Sequence, residues 1–188
     1  MKSIKLALLA TAITASSYAM ADDDMAINLM ALNASNTSVE MLSPTVRQAH
    51  SGVVTEIELD DYKDQQVVYE FKIINLEANN KHKLSYSVND QSLLKEESES
   101  LSTFGFSDLD KDERLAIERV NESGFDILNV IPTLEDKYSA KLIEAELEEK
   151  NGVVFYEIKL ASAEAGKQKL LINVDSGEEI PVLKHHKK

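Results

Sequence analysis

"SPTVRQAHSGVVTEIEL", Ser43 to Leu59, is written a second time as "IPTLEDKYSAKLIEAEL", Ile131 to Leu147. At a spacing of 88 positions Pro44 matches Pro132, Thr45 matches Thr133, Ser51 matches Ser139, and Glu56, Glu58 and Leu59 match Glu144, Glu146 and Leu147. Val46 faces Leu134, and Val54 faces Leu142. After a one-residue slip at the next turn, "VVYEFKI" (Val67 to Ile73) lies over "VFYEIKL" (Val154 to Leu160), and "KLSYSVND" (Lys83 to Asp90) lies over "KLLINVDS" (Lys169 to Ser176). The chain reads as a tandem duplication of one module.

Within each copy the apolar residues alternate. Val53, Thr55, Ile57 and Leu59 fall on one side of an extended segment, and Val54, Glu56 and Glu58 on the other, the period-two pattern of a half-buried strand. Val67, Tyr69, Phe71 and Ile73 then oppose Glu70 and Lys72, and Leu84, Tyr86 and Val88 follow. The second copy repeats the series with Ile143, Ala145 and Leu147, then Val154, Tyr156, Ile158 and Leu160, then Leu170, Ile172 and Val174. The connections "LDDYKDQQ" (Leu59 to Gln66) and "LEEKNG" (Leu147 to Gly152) are short and polar, and the second ends in Asn-Gly, a favoured hairpin pair. Three antiparallel strands per copy are expected, with Lys72 and Lys159 opposite glutamates of the neighbouring strand.

A sheet that is apolar on one face needs a cover. Asp110 with Glu113 has the form of an N-cap and capping box, opening a helix that ends near Gly124. A shorter helix is expected over Leu128 to Tyr138, with Pro132 in its first turn. In the first copy the early helix spans roughly Asp24 to Asn33, and Ser43 caps a short helix with Pro44 in its first turn. The expected fold class is α+β: two copies of a helix packed on a three- to four-stranded antiparallel sheet. The copies occupy 22–97 and 108–184, residues 98–107 read as a linker whose Phe104 and Phe106 pin it to a core, and 185–188 form a basic tail.

At the start, Lys2 and Lys5 precede an apolar run, Leu6 to Ile13, and small residues follow as far as Ala19-Met20-Ala21. Residues 1–21 read as a secretory signal peptide with the mature chain beginning at Asp22, because the run is too short to cross a bilayer. The expected location is the periplasm or outside the cell, without membrane insertion once the signal is removed. The absence of cysteine rules out both a lipid anchor at the cleavage point and disulfide staples. Losing Lys2 and Lys5 moves the formal charge from −13 to −15. Such an acidic balance argues against nucleic acid or anionic membrane as partner; a basic partner, a cation or solubility alone fits it.

A helix followed by "GVVTEIELDD", "VVYEFKI" and "KLSYSVND" resembles the PepSY domain, a small module of bacterial exported proteins and of the propeptides of some metallopeptidases. The second copy, "AKLIEAELEEKNGVVFYEIKL" followed by "INVDSGEEIPVLK", is the better match. Tyr69-Glu70 and Tyr156-Glu157 resemble the family's aromatic-acid pair, and Asp175 with Gly177 resembles the aspartate and glycine that close the module. The first copy departs there, with Asn89-Asp90-Gln91 and no glycine. The resemblance implies a cystatin-like helix-on-sheet arrangement and a binding or regulatory role toward an envelope protein, a peptidase among them. It carries no catalytic residues.

Candidate chemistry is sparse. Asp108, Asp110 and Asp112 alternate as in an EF-hand loop, but Glu113 stands where glycine is required and Arg119 where a bidentate glutamate is required. A helix N-terminus, which favours acids, explains them better. His185 and His186 in the tail are adjacent and make a poor preformed metal site, and His50 and His82 read as isolated surface or turn residues, so no metal ligands and no cofactor are assigned. Tyr69 and Tyr156 are candidates for recognition, yet their inward parity assigns them to the core. Glu56, Glu58, Glu144 and Glu146 form the candidate partner-binding surface. There is no G-x-S-x-G, H-E-x-x-H, phosphate-binding glycine loop or cysteine nucleophile. The expectation is a non-enzymatic protein that binds and modulates an envelope protein, as a peptidase inhibitor or regulator; the alternative is a ligand- or metal-ion-binding sensor accessory in envelope signalling. Its oligomeric state is left open.

Overall fold

The computed structural model describes residues 23–35, 37–103, 106–162 and 164–181. Residues 1–21, read above as a signal peptide, Asp22, Phe104, and the tail with His185 and His186 lie outside them, as does the side chain of Phe106. The first copy contains α1 (Asp23–Ala34), α2 (Val39–Ala49), β1 (Val53–Tyr62), β2 (Gln66–Asn75), β3 (Asn80–Ser87) and β4 (Leu93–Ser100). A small hairpin, β5 (Ser102–Thr103) with β6 (Phe106–Ser107), leads to α3 (Lys111–Ser123), α4 (Ile127–Tyr138), β7 (Lys141–Lys150), β8 (Val153–Ser162) and β9 (Gly166–Asn173). The 88-residue spacing carries α2 onto α4 and β1 onto β7 from first residue; the slipped spacings do the same for β2 with β8 and β3 with β9.

The expectation of a three- to four-stranded, cystatin-like sheet in each of two copies is corrected. All seven long strands form one antiparallel sheet in the order β4-β3-β2-β1-β7-β8-β9. The copies meet at β1 and β7, which pair only over Glu56 to Glu58 against Glu144 to Glu146. Ile57 opposes Ala145 at the centre, so a local two-fold axis runs through the sheet at that point. The physical reason for the merger lies in these strands. Each would otherwise be an edge with unpaired backbone groups, and pairing them closes both edges at once.

The helices cover one face of the sheet. Leu32, Leu42 and Val46 from α1 and α2 share a single core with Ile57, Tyr69, Phe71 and Leu84, and this core continues through Ile117, Ile131, Leu134, Ile158 and Leu160 of the second copy. Among the described residues this one core spans both halves. Asp110 caps α3 with the expected capping box to Glu113, and Gly124 closes that helix in the left-handed conformation.

Two helix starts differ from expectation. Ser38, not Ser43, caps α2 by accepting from the Met41 N–H, and Asp126 caps α4. Pro44 and Pro132 therefore lie inside their helices. The proline removes one N–H donor, and Ser43 turns inward with its hydroxyl donating to the Val39 carbonyl at 2.7 Å. The stretch "LLKEESES", whose last three residues fall in the expected linker, is the edge strand β4. Its largely exposed side chains explain why it lacks the apolar alternation of the inner strands.

Candidate functional site

The open face of the sheet carries the predicted glutamates, and the pairing registers set them in two rows. One row runs Ser85, Glu70, Glu58, Glu144, Lys159, Lys169 across the strands; the other runs Lys83, Lys72, Glu56, Glu146, Glu157, Leu171. The two-fold axis exchanges the rows. Each therefore has three consecutive glutamates at or beside the seam and lysines toward one end. Like charges directly opposite one another destabilise a sheet, so this centre is not explained by strand pairing.

The lysines neutralise part of it. Lys83 lies 2.5 Å from Glu70, Lys169 lies 2.5 Å from Glu157, Lys159 lies 2.7 Å from Glu144, and Lys72 lies 3.7 Å from Glu56. Glu58 and Glu146, which correspond between the copies, make no ion pair among the described residues. Partial burial, followed by the repulsion of Asp60, Glu56, Glu144 and Glu70, raises the Glu58 carboxyl above the usual range. Glu146 is raised by burial and then by Glu148, Glu56 and Glu144, against an opposing pull from Lys159. As diagonal neighbours across the seam they stand about 7–8 Å apart. A groove of about 240 Å³ beside Glu58 is lined by Glu56, Glu70, Lys72, Lys83 and Glu97, among others. Glu58, Asp60 and Glu70 bring carboxylate oxygens within 4.8 Å of one another there.

The other predicted residues have structural roles. Tyr69 and Tyr156 are buried, and each donates its hydroxyl across the seam, Tyr69 to the Leu142 carbonyl at 3.0 Å and Tyr156 to the Val54 carbonyl at 2.6 Å. Burial raises both phenols far above their ordinary range, so they remain donors. Glu70 and Glu157 are held by the lysines named above. Asp175 accepts from Arg119 Nε at 2.6 Å, and Gly177 has φ of 70° in a turn where its N–H donates to Asn173 O at 2.9 Å. The first copy makes the same turn without glycine. Gln91 takes φ of 62°, and its N–H donates to Ser87 O at 2.9 Å. Asp110, from the calcium-like run, accepts from the Asp112 and Glu113 N–H groups at 2.8 Å as a helix cap.

His50 and His82 are not isolated. On the helix-covered side of the sheet their rings stack with centroids 3.5 Å apart and planes 11° from parallel. His50 Nε2 lies 2.8 Å from Glu96 Oε1, and His82 Nδ1 lies 2.7 Å from Ser98 Oγ. Burial and the neighbouring His50 ring lower the His82 pKa, while Glu96 pulls it upward. Sequence reading missed this grouping because 32 positions separate the histidines and β4 was not recognised as a strand. The internal repeat holds the signal that could have found it: the second copy has Tyr138 and Gln168 at the matching positions.

No family model matches the chain, and no curated protein matches it. Among solved structures it is similar to one described as "a putative lipoprotein" from Clostridium difficile 630, with a TM-score of 0.40 and 14% identity, over 75% of this chain and 88% of that one. Among the described residues no helix is long and apolar enough to cross a membrane.

Proposed function

We propose that this protein is a non-enzymatic binding protein of the cell envelope that engages a basic segment of a partner protein through the open face of its seven-stranded sheet. One observation carries the reading. Glu58 and Glu146 stand as diagonal neighbours at the seam with no ion pair to a lysine among the described residues, inside a row arrangement that stacks like charges. A segment presenting two Lys or Arg side chains about 7 Å apart, as alternate residues of a strand do, matches that pair and relieves the repulsion.

The reading of residues 1–21 as a signal peptide supports the envelope as the setting, and the resemblance to PepSY modules makes a peptidase the first partner to test. A photo-crosslinking amino acid placed at Leu171 or at Lys95, both on the open face, is expected to capture the partner in intact cells. The same group at Glu118 on α3 is not. Reversing charge with Glu58→Lys and Glu146→Lys together is expected to abolish capture. Capture only from Glu118, or capture indifferent to the charge reversal, rules the reading out.

A further inference from the structure

On the face of the sheet away from the glutamate rows, three side chains with metal-binding donors converge from three different elements. His50 is the C-cap of α2, His82 lies in the interior of β3, and Glu96 lies on β4. One donor atom from each falls within 4.8 Å of the other two. We propose that His50, His82 and Glu96 bind a divalent transition-metal ion of the zinc class.

The donor set fits that chemistry. Two imidazoles and one carboxylate are the ligands of one of the common zinc sites with an open fourth position, whereas calcium and magnesium require oxygen donors throughout. Zinc bonds of about 2.0–2.2 Å place tetrahedral donors roughly 3.3 Å from one another. The remaining closure falls to Glu96 and His50, whose side chains are 44% and 20% exposed, with His50 turning out of its stack on His82 to bring its donor to the ion. His82 is the fixed member, only 8% exposed. Ser98 lies 2.7 Å from its Nδ1; as an acceptor it holds the proton there and leaves the Nε2 lone pair for the ion, the usual arrangement around a ligating histidine.

The backbone beneath the site is also held. The His50 N–H donates to the Val46 carbonyl, and the Asn75 side-chain amide donates to Ser51 O and Ser51 Oγ at 3.1 and 3.0 Å. The fold itself does not call for histidines here. The second copy builds the same helix-to-strand joint and the same strand with Tyr138 and Gln168 in their places, and Tyr138 there donates to Glu179 at 2.7 Å. The pair is thus a property of one copy laid over a shared scaffold. The ion keeps one position for water or for a side chain brought by another molecule.

The test is titration of the protein with zinc chloride by calorimetry, and with cobalt chloride by visible absorption. One ion per chain is expected, with the intense absorption of tetrahedral cobalt, and both signals should persist in a His185→Ala, His186→Ala variant. His50→Tyr and His82→Gln install the residues of the second copy, so the scaffold tolerates them; each should remove tight binding. Glu96→Gln should weaken it strongly, and Ser98→Ala, which alters only the orientation of His82, about 10–100-fold. Absence of saturable zinc binding overturns the proposal. So does binding that survives His50→Tyr and Glu96→Gln, or that disappears with the two tail histidines alone.

Discussion

The hydroxyl of Tyr156 donates to the main-chain carbonyl of Val54 at 2.6 Å, tying a strand of the second copy to the first strand of the first. Tyr69 returns the bond to Leu142 at 3.0 Å. Both carbonyls lie where the ladder register shifts, between Val54 and Glu56 and between Leu142 and Glu144. The copies share only a short run of strand pairing, so these two bonds belong to what makes the sheet continuous. Tyr69→Phe or Tyr156→Phe leaves a buried carbonyl without its donor and is expected to cost about 1–3 kcal/mol each. Urea unfolding followed by circular dichroism reads this cost; a loss below about 0.3 kcal/mol in both variants would show that the bonds do not hold the seam.

The backbone at the joint before β1 permits no side chain. Gly52 has φ of 140°, and a Cβ there would lie 2.6 Å from the Ile74 carbonyl oxygen. Neither atom is the end of a flexible side chain, so relief requires β2 to move away from β1. Gly52→Ala is expected to destabilise the fold by about 1–3 kcal/mol, as strain and overpacking do. The second copy has Ala140 in this position, so Ala140→Gly is the contrasting variant. It should cost under about 1 kcal/mol, the entropic penalty of glycine.

Glu135 joins α4 to the seam. It is only 7% exposed, and its Oε1 accepts the Leu142 N–H at 2.8 Å. Burial raises its carboxyl, while the Leu142 N–H and Lys141 pull it back. Glu135→Gln keeps an acceptor of the same shape and is expected to change stability by less than about 1 kcal/mol. Glu135→Ala strands the N–H and should cost about 1–3 kcal/mol. If the two variants unfold at the same urea concentration, the contact to Leu142 has no energetic weight.

The repeat made the element order legible, because each strand of the first copy predicts its partner in the second. Strict alternation concealed the bulges. Val53 pairs with Ile74 and Ile57 with Phe71, so Val53 and Ile57 face opposite sides of the sheet although both are buried and their parity agrees. The union into one sheet was also hidden, since a strand paired on one edge and a strand paired on both have the same side-chain pattern. Glu56, Glu58, Glu144 and Glu146 were recognised as solvent-facing from their alternation. Their convergence depended on the antiparallel register of β1 with β7, which no local pattern encodes. His50 and His82 were invisible for a similar reason: their contact is set by how α2 ends over β3.

The pH dependence follows from Glu58 and Glu146. Their folded pKa values lie above the ordinary 4.5, so the folded state binds protons more readily than the unfolded chain. Their stabilising contribution is present at low pH and is lost as pH rises through the raised values. Glu179, lowered by Tyr138 and Lys137, and Glu99, lowered by Lys81, act in the opposite sense and lose their contribution as pH falls through their own values. On the upper limb, from pH 7.5 downward, Glu58 and Glu146 should therefore add stability as they take up protons, while His82, whose pKa is lowered, acts in the opposite sense; at lower pH stability should fall as Glu179 and Glu99 are protonated. Replacing Glu58 and Glu146 together with Gln should raise the urea midpoint at pH 7.5, corresponding to a gain in stability of about 0.2–1 kcal/mol for each like-charge pair relieved, and flatten the upper limb. A midpoint that falls in this variant would mean that the two carboxylates already have partners.

The closing turns of the two copies offer a controlled comparison. Gln91 and Gly177 occupy the same position, with φ of 62° and 70° and the same N–H bond to the residue four before. A side chain in the left-handed region costs roughly 1–2 kcal/mol, while glycine loses more chain entropy on folding, about 0.4–1 kcal/mol relative to alanine. The strain term is the larger. Gln91→Gly should thus stabilise the protein by up to about 1 kcal/mol, and Gly177→Ala should destabilise it by a similar amount. A Cβ at Gly177 would meet nothing within 4 Å, so no clash contributes and the Gly177→Ala effect reports conformation alone. Thermal unfolding of both variants decides the matter: shifts of the same sign would remove the explanation that the first copy forms this turn against its backbone preference.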